Sequence, residues 1–534
     1  MTNKYFAGTK TLISVYLRRD RFLLPIWILL PLFILVGHAF SFLSLTSNLE
    51  ITSVITELNQ DRLVSAVHGP IMSMDIVGAT LWRAINPITL LIGVSVILTI
   101  IRHTRTDEEN GRTELINSLT LGKYANLTAT SCMVILATFL SSVLMSIAMM
   151  ELGASFKEIS IFGATLFVAG MFYTGIGLLA CQLRDSSSAA RNIGITILGL
   201  SLIINILNNF GGSDLFLKWF SPISWTRITS PFANKNALGL LPLFVISLLP
   251  IILAYSLSTK RDIGGAILGR VAGPARATPS FKNPLALAWK LHRGMFTGWL
   301  VAVTLYIGAF AAISPSISGQ ISSLFAEIGG NNWMEDMPIG LLFVSIGIYI
   351  MALFIGVYAL LALNGLKKEE TDGRNEIILD KKVNRKSYMF SFILIALVGS
   401  ALLLILLGVI GAIIYSAVAG SWGSEFWQIL IMGISKIPAV WTLIGVFSLL
   451  YGFFPKITAL SWGLWGLFGL LEVAWESGLV GWEIMQFSPF AFSHYTIQVE
   501  NLSIGALSVN LLLAIVSIYF GILAYLKRDV MTKP

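Results

Sequence analysis

Two short polar runs carry the residues best placed to do chemistry. The first reads Asp107-Glu108-Glu109-Asn110-Gly111-Arg112-Thr113-Glu114-Leu115-Ile116, and Glu369-Glu370-Thr371-Asp372-Gly373-Arg374-Asn375-Glu376-Ile377-Ile378 matches it further along the chain. In each, an acidic cluster is followed by glycine, arginine and a short amphipathic stretch. Carboxylates favour the positive end of a helix dipole, so Glu108 and Glu109 are expected to start a short projecting helix. Gly111 and Gly373 permit a tight bend or the close approach of another backbone. Leu115 and Ile116 then offer a small apolar contact. The chemistry on offer is docking to a soluble partner. A solvated loop whose charges merely follow topology explains one such run; two at equivalent positions favour docking.

Other reactive constellations are missing from the sequence. No G-x-x-x-x-G-K-[ST] phosphate loop occurs, so the chain is not expected to bind ATP in the usual way. No HExxH, GxSxG or Cys/His cluster is present, and the two cysteines, Cys132 and Cys181, both sit in apolar runs. No catalysis, cofactor or metal is therefore expected of the chain itself. Charges inside apolar segments carry a functional presumption, which makes Lys436, Glu472 and Glu476 worth placing. At 1.5 Å per residue, Lys436 lies about 30 Å from Lys456. It is expected at the outer interface, where snorkelling suffices, with Glu472 and Glu476 near the outer end of their span.

The elements that must hold these loops follow from composition. Of 534 residues, 55% are hydrophobic and only 12% charged, against roughly 25% in soluble chains; mean hydropathy is +0.80. Lipid must solvate most of the chain. Windows of about 20 apolar residues place spans near 22–43, 85–101, 127–150, 159–181, 192–210 and 237–257. A second set falls near 296–314, 338–363, 388–417, 437–454, 459–475 and 506–526. The weakest is 459–475. With both termini inside, seven of the 36 Lys and Arg residues fall outside: Arg62, Arg83, Lys157, Lys218, Arg227, Lys235 and Lys436. The rest obey the positive-inside rule, so the net charge of +8 is topological and calls for no nucleic acid. Residues 5–19 read as an amphipathic interfacial helix.

The polar runs belong to a wider duplication. Phe220-Ser221-Pro222 recurs as Phe487-Ser488-Pro489, and Lys260-Arg261-Asp262 as Lys527-Arg528-Asp529; Arg21 and Trp27 pair loosely with Arg293 and Trp299. Six spans per half make the repeats parallel, related by an axis along the membrane normal. The expected organisation is a first half, 1–262, a cytoplasmic Gly/Pro/Ala-rich linker, 263–283, and a second half, 284–534. The outer segments 44–84, 211–236 and 476–505 carry Trp219, Trp225, Trp482, Phe487 and Phe490, suited either to capping the outer end or to interfacial anchoring.

The run Glu109-Asn110-Gly111-Arg112-Thr113-Glu114-Leu115-Ile116, continuing to Leu121-Gly122-Lys123, resembles the loop of ABC-2-type exporter permeases. There a Glu-x-Gly-x-x-Glu-Leu-Leu pattern forms the coupling helix seated in an ATPase subunit. The whole layout resembles the duplicated twelve-span branch of polyketide-antibiotic exporters, in which Arg-His-Thr-Arg (here 102–105) precedes the acids and Lys-Arg-Asp leads into the linker (here 260–276). The fold so implied is an all-α polytopic membrane protein of about 12 transmembrane helices. These form two parallel six-helix repeats with cytoplasmic coupling helices.

The resemblance implies outward movement of a hydrophobic or amphipathic, antibiotic- or drug-like molecule across a bacterial cytoplasmic membrane. Power would come from two copies of a separate ABC ATPase, a homodimer or heterodimer carrying ATP and Mg, docked on loops 102–124 and 364–387. The coupling residues so implied are Glu108, Glu109, Gly111, Arg112, Glu114 and Leu115, with Glu369, Glu370, Gly373, Arg374 and Glu376. The second copy departs at Thr371, Asn364 and Lys367, and adds Lys381, Lys382 and Lys386, so the two loops are expected to dock unequally. A proton-coupled secondary efflux transporter and a non-transporting membrane sensor or assembly subunit are the alternatives.

Overall fold

Hydrocarbon offers no hydrogen-bond partners, so a chain this apolar must satisfy its backbone inside helices. The computed structural model describes residues 4–46, 65, 68–71, 73–117, 121–210, 216–233, 235–262, 264–268, 283–327, 339–380, 383–420, 422–476, 480–492 and 503–529. Among them only helices and short 3-10 turns occur, with no strand. Most of the expected linker lies outside the described residues, as do Arg62, Arg270, Arg276, Lys282, Lys381 and Lys382. The chain divides into two compact units, Met1–Gly273 and Pro274–Pro534.

The first unit begins with the amphipathic α1 (Thr9–Arg19), which buries Leu12 and Tyr16. Then come α2 (Leu23–Thr46), α3 (Ile76–His103), two short helices α4 (Arg105–Glu109) and α5 (Arg112–Asn117), α6 (Ala125–Glu151), α7 (Phe156–Leu183), α8 (Ser187–Phe210), α9 (Trp225–Thr229) and α10 (Leu240–Ser258). Asp75 starts α3 by accepting from the Gly78 N–H at 2.7 Å, and Arg102 and His103 end it on the side its dipole favours. A reciprocal Ser155–Glu158 capping box opens α7. That helix is the centre of the unit, packed against α3, α6, α8 and α10.

The second unit comprises α11 (Pro284–Glu327), α12 (Ile339–Thr371), α13 (Arg374–Leu379), α14 (Arg385–Ala419), α15 (Ser424–Ile434), α16 (Ile437–Phe453), α17 (Leu460–Glu476), α18 (Trp482–Met485) and α19 (Ile504–Lys527). Its tightest seam joins α16 to α19. A Cβ on Gly452 would fall 2.2 Å from the Gly521 carbonyl oxygen, and one on Gly521 2.4 Å from that of Ser448. Only glycine lets the backbones meet this closely. Dispersion over the seam then replaces the hydrophobic drive that lipid removes.

Eleven helices among the described residues are long and apolar enough to cross a membrane. The twelfth expected span corresponds to α17, whose 17 residues extend about 26 Å, short of the roughly 30 Å hydrocarbon core. Helix ends also depart from the hydropathy windows. The α3 helix starts at Ile76, taking in Arg83, and α11 merges its basic approach segment with the span in 44 residues. Backbone hydrogen bonding carries a helix on past the apolar window that reveals it.

Candidate functional site

The acidic loop of the first unit is bent at Gly111, whose φ of +70° lies in the left-handed region that glycine adopts freely. This splits the loop into α4 and α5. Glu108 and Glu109 therefore end a short helix, where they had been expected to start one. Each acid has its own internal partner. Asp107 receives Arg19 at 2.7 Å and Arg112 at 3.2 Å. Glu108 receives Arg261 at 2.7 and 3.0 Å and Arg105 at 2.5 Å. Glu109 accepts from the backbone N–H of Ser187 at 2.9 Å and from its hydroxyl at 2.5 Å, capping the first turn of α8.

These ties fasten the loop to helix ends that are distant in sequence. Arg105 also donates to the Cys181 carbonyl at 2.7 and 3.1 Å and to that of Gly265 at 2.8 Å, while Arg261 reaches Gln182 at 2.5 Å. On the opposite flank Asp20 meets His103 at 2.6 Å and Arg102 at 3.0 Å. Burial alone would raise the Asp20 carboxyl, but His103, Arg102 and Arg19 together hold it below the ordinary carboxylate range. Backbone bonds from Gly122 to Ala7 (2.9 Å) and Tyr124 to Tyr5 (3.0 Å) lay the chain before α1 along the far side of the loop.

The second unit repeats the plan with different details. The α12 helix runs on to Thr371, Gly373 turns at φ +72°, and α13 follows. Glu370 is held by Arg528 in two bonds of 2.7 Å and receives the Tyr451 hydroxyl. The Arg528 guanidinium lies 4.9 and 5.1 Å from the Tyr451 and Tyr525 ring centroids. Burial would lower its pKa, yet Glu370 raises it on balance. Glu369 takes Arg374 at 2.6 Å, and Asp372 takes the same arginine at 2.7 Å; Glu369 foremost keeps that guanidinium charged. Thr371 bonds back to the Lys367 carbonyl at 3.1 Å, where Glu109 caps a neighbouring helix.

Asp107, Glu108, Glu369 and Glu370 thus turn inward, with side-chain exposures of 2%, 9%, 11% and 0%. Outward stand Glu109, Arg112, Glu114 and Leu115, and in the other unit Arg374, Glu376 and Ile377; Leu115 is 73% and Ile377 64% exposed. Among the described residues nothing lies within 4 Å of a Cβ built on Gly111 or Gly373, so these glycines serve the bend. Sequence reasoning read Arg261 and Arg528 only as repeat markers. The recurring Lys-Arg-Asp was the available signal that both belong to the acidic loops.

Two comparisons bear on this geometry. Residues 281–526 match the family model described as the C-terminal domain of multidrug efflux system permease Rv1217c. Over 538 residues the chain is 29% identical to multidrug efflux system permease protein Rv1217c of Mycobacterium tuberculosis, covering 98% of this chain and 96% of that one. The similarity is to an efflux permease.

Among the membrane-spanning helices, the expectation for Lys436 needs correction. This residue does not snorkel to an interface; it is 1% exposed, at the break between α15 and α16, with its ammonium 5.2 Å from the Tyr349 ring. Glu472 is 8% exposed and acts on it electrostatically. The break turns the side chain into the unit, which counting residues along one straight helix could not anticipate. Of the outer aromatics, Trp225 is fully buried and donates to the Trp219 carbonyl at 3.1 Å, and Phe490 is also fully buried, while Phe487 is 80% exposed. Trp225 and Phe490 pack inside their units; Phe487 is exposed. Among the described residues no group of His, Cys, Asp and Glu is arranged to hold a metal.

Proposed function

We propose that this chain is the permease subunit of an ATP-binding-cassette exporter in a bacterial cytoplasmic membrane. It would move a hydrophobic or amphipathic drug-like molecule outward, and the efflux role of its Mycobacterium relative supports that reading. Both termini would be cytoplasmic and the two units parallel repeats; the occurrence of one acid–arginine clamp inside each unit supports the latter. Two copies of a separate ATPase, carrying ATP and Mg, would dock on loops 102–124 and 364–387.

The observation that carries the proposal is the division of labour within each loop. Exposed tips at Glu114–Leu115 and Glu376–Ile377 sit on short helices, while Glu108 and Glu370 tie the loop bases to Arg261 and Arg528. A push on such a tip moves helix ends instead of bending the loop, because buried ion pairs resist separation. The tips offer apolar and acidic groups suited to a groove on a soluble partner.

The test is co-expression with a candidate ABC ATPase. The wild-type permease should co-purify with two ATPase copies. A Leu115→Asp, Ile377→Asp double variant should keep its melting temperature and lose both the ATPase and efflux. Unchanged co-purification and efflux in the double variant would overturn the proposal.

The buried Lys436 and Glu472 favour a second reading, proton-coupled efflux. Its test is transport in ATP-depleted vesicles under an imposed pH gradient. Transport that persists there and vanishes in Lys436→Met supports the second reading; its absence in wild-type vesicles removes it.

A further inference from the structure

In the first unit, α2, α3 and α6 do not close completely on one another. They leave a crevice between Trp27 and Ile28 of α2, Ser95 and Thr99 of α3, and Val134 and Ala137 of α6, with a cavity volume of about 30 Å³. That is room for one or two water-sized groups. The crevice is not sealed, since Leu24, Trp27 and Ile28 keep part of their surface exposed. It lies toward the end of the unit that carries the acidic loop. Trp27 is four residues into α2 and Ser95 eight residues from the end of α3 at His103, about 6 and 12 Å along their axes.

Some hydrogen-bonding groups around the crevice are paired and others are not. Thr138 donates to the Val134 carbonyl at 2.9 Å, and Ser141 crosses from α6 to the Ile28 carbonyl at 3.0 Å. The Trp27 indole Nε1 and the Ser95 Oγ are buried and have no hydrogen-bond partner among the described residues, Ser95 being 7% exposed. Unpaired donors inside an apolar membrane unit are costly, and here two of them line one space that opens sideways. In the other unit the matching Trp299 packs on the Tyr358 ring at 6.2 Å, so an aromatic side chain occupies its flank.

We propose that this crevice is a lateral binding site for a neutral, largely apolar molecule dissolved in the membrane. The ligand inserts one hydrogen-bond acceptor, a carbonyl or ether oxygen, between Trp27 Nε1 and Ser95 Oγ. The cavity accommodates the acceptor, and the apolar body rests across Leu24 and Ile28 toward lipid. A charged molecule is disfavoured, because no titratable side chain among the described residues lines the space. A lipid ester carbonyl has the same acceptor chemistry, and the two sources separate experimentally.

The probe is benzophenone, which combines two apolar rings with one carbonyl and labels nearby C–H bonds on irradiation. With purified full-length protein in ester-linked phosphatidylcholine nanodiscs, labelled peptides should concentrate on 24–28, 92–99 and 134–141. The Trp27→Phe, Ser95→Ala double variant should reduce that labelling at least about fivefold. Fluorenone should compete, and diphenylmethane, of similar shape without the acceptor, should not. Labelling spread evenly over the lipid-facing helices, or equal competition by the two compounds, overturns the site; the competition arm needs no variant. Labelling confined to ether-linked bilayers would assign the crevice to lipid ester carbonyls and overturn the small-molecule assignment.

Discussion

Arg528 grips Glu370 in a parallel pair of 2.7 Å hydrogen bonds, joining the end of α19 to the end of α12. In the other unit Arg261 holds Glu108 in the same way, at 2.7 and 3.0 Å. The fork of an arginine matches two carboxylate oxygens at once, so each clamp fixes direction as well as distance. Its loss is expected to cost differently in the two places. Without Arg528 the fully buried Glu370 side chain loses its arginine and keeps the neutral Tyr451 hydroxyl, and breaking such a buried pair costs about 3–5 kcal/mol. Without Arg261, Glu108 still has Arg105 at 2.5 Å, so the loss is nearer about 1.5–3 kcal/mol, the scale of a hydrogen bond to a charged group. Arg528→Ala should therefore lower the melting temperature in detergent more than Arg261→Ala, and equal losses would show that Arg105 carries nothing.

Gly122 should be less replaceable than Gly111, although Gly111 belongs to the better-matched motif. A Cβ on Gly122 would sit 2.2 Å from the Tyr5 carbonyl oxygen, whereas one on Gly111 meets nothing within 4 Å among the described residues. Gly111→Ala carries only left-handed strain, about 1–2 kcal/mol. Gly122→Ala must push away the backbone before α1. Limited proteolysis near residues 5–8 should accelerate in Gly122→Ala and stay unchanged in Gly111→Ala.

Acid should undo the α1 anchorage only at low pH. Asp20 has a folded-state pKa lowered from its ordinary value, near 3.9 in an unfolded chain. A lowered carboxyl stabilises fully above that ordinary value and loses its contribution as pH falls through the folded one. The Asp20 share of stability should be constant from pH 7 to 5 and decline below about 4. Melting curves of wild type and Asp20→Asn, recorded from pH 7 to 3, should converge at the acid end.

The Glu109–Ser187 cap predicts a difference between the two loops under hydrogen exchange. Glu109→Thr, which copies the second loop, removes the acceptor for two Ser187 donors, a capping loss of about 1 kcal/mol. Amides at the start of α8 should exchange several-fold faster in Glu109→Thr. The converse change, Thr371→Glu, should leave exchange in the second unit as it was, since the Thr371 hydroxyl bonds back within its own helix.

The spans were legible because lipid imposes one demand, about 20 apolar residues, and α6 and α10 meet it plainly. The short α17 and the overhanging α3 were less so, because hydrogen-bonded turns continue beyond the apolar window. The acidic loops were visible as patterns, but not the direction their side chains take. In a sequence Glu108, Glu370, Arg261 and Arg528 look like solvated charges. Only the meeting of helix ends far apart in the chain makes them partners. Lys436 was misplaced for the complementary reason, since a break between two helices changes where a residue points without changing where it falls in the count.

The cap that Glu109 places on α8, and that Thr371 does not provide, has a mechanical reading. The first loop is riveted at Arg19, Arg261 and Ser187, so it behaves as a stiff lever. The second is held at Arg528, Tyr451 and Arg374 but, with Thr371 bonded back on its own helix, lacks the tie to a neighbouring helix that Glu109 makes. If a partner pushes on both loops as proposed above, equal pushes would reach α8 directly in the first unit and have no such neighbouring helix to move in the second, giving the proposed cycle a leading half and a trailing half.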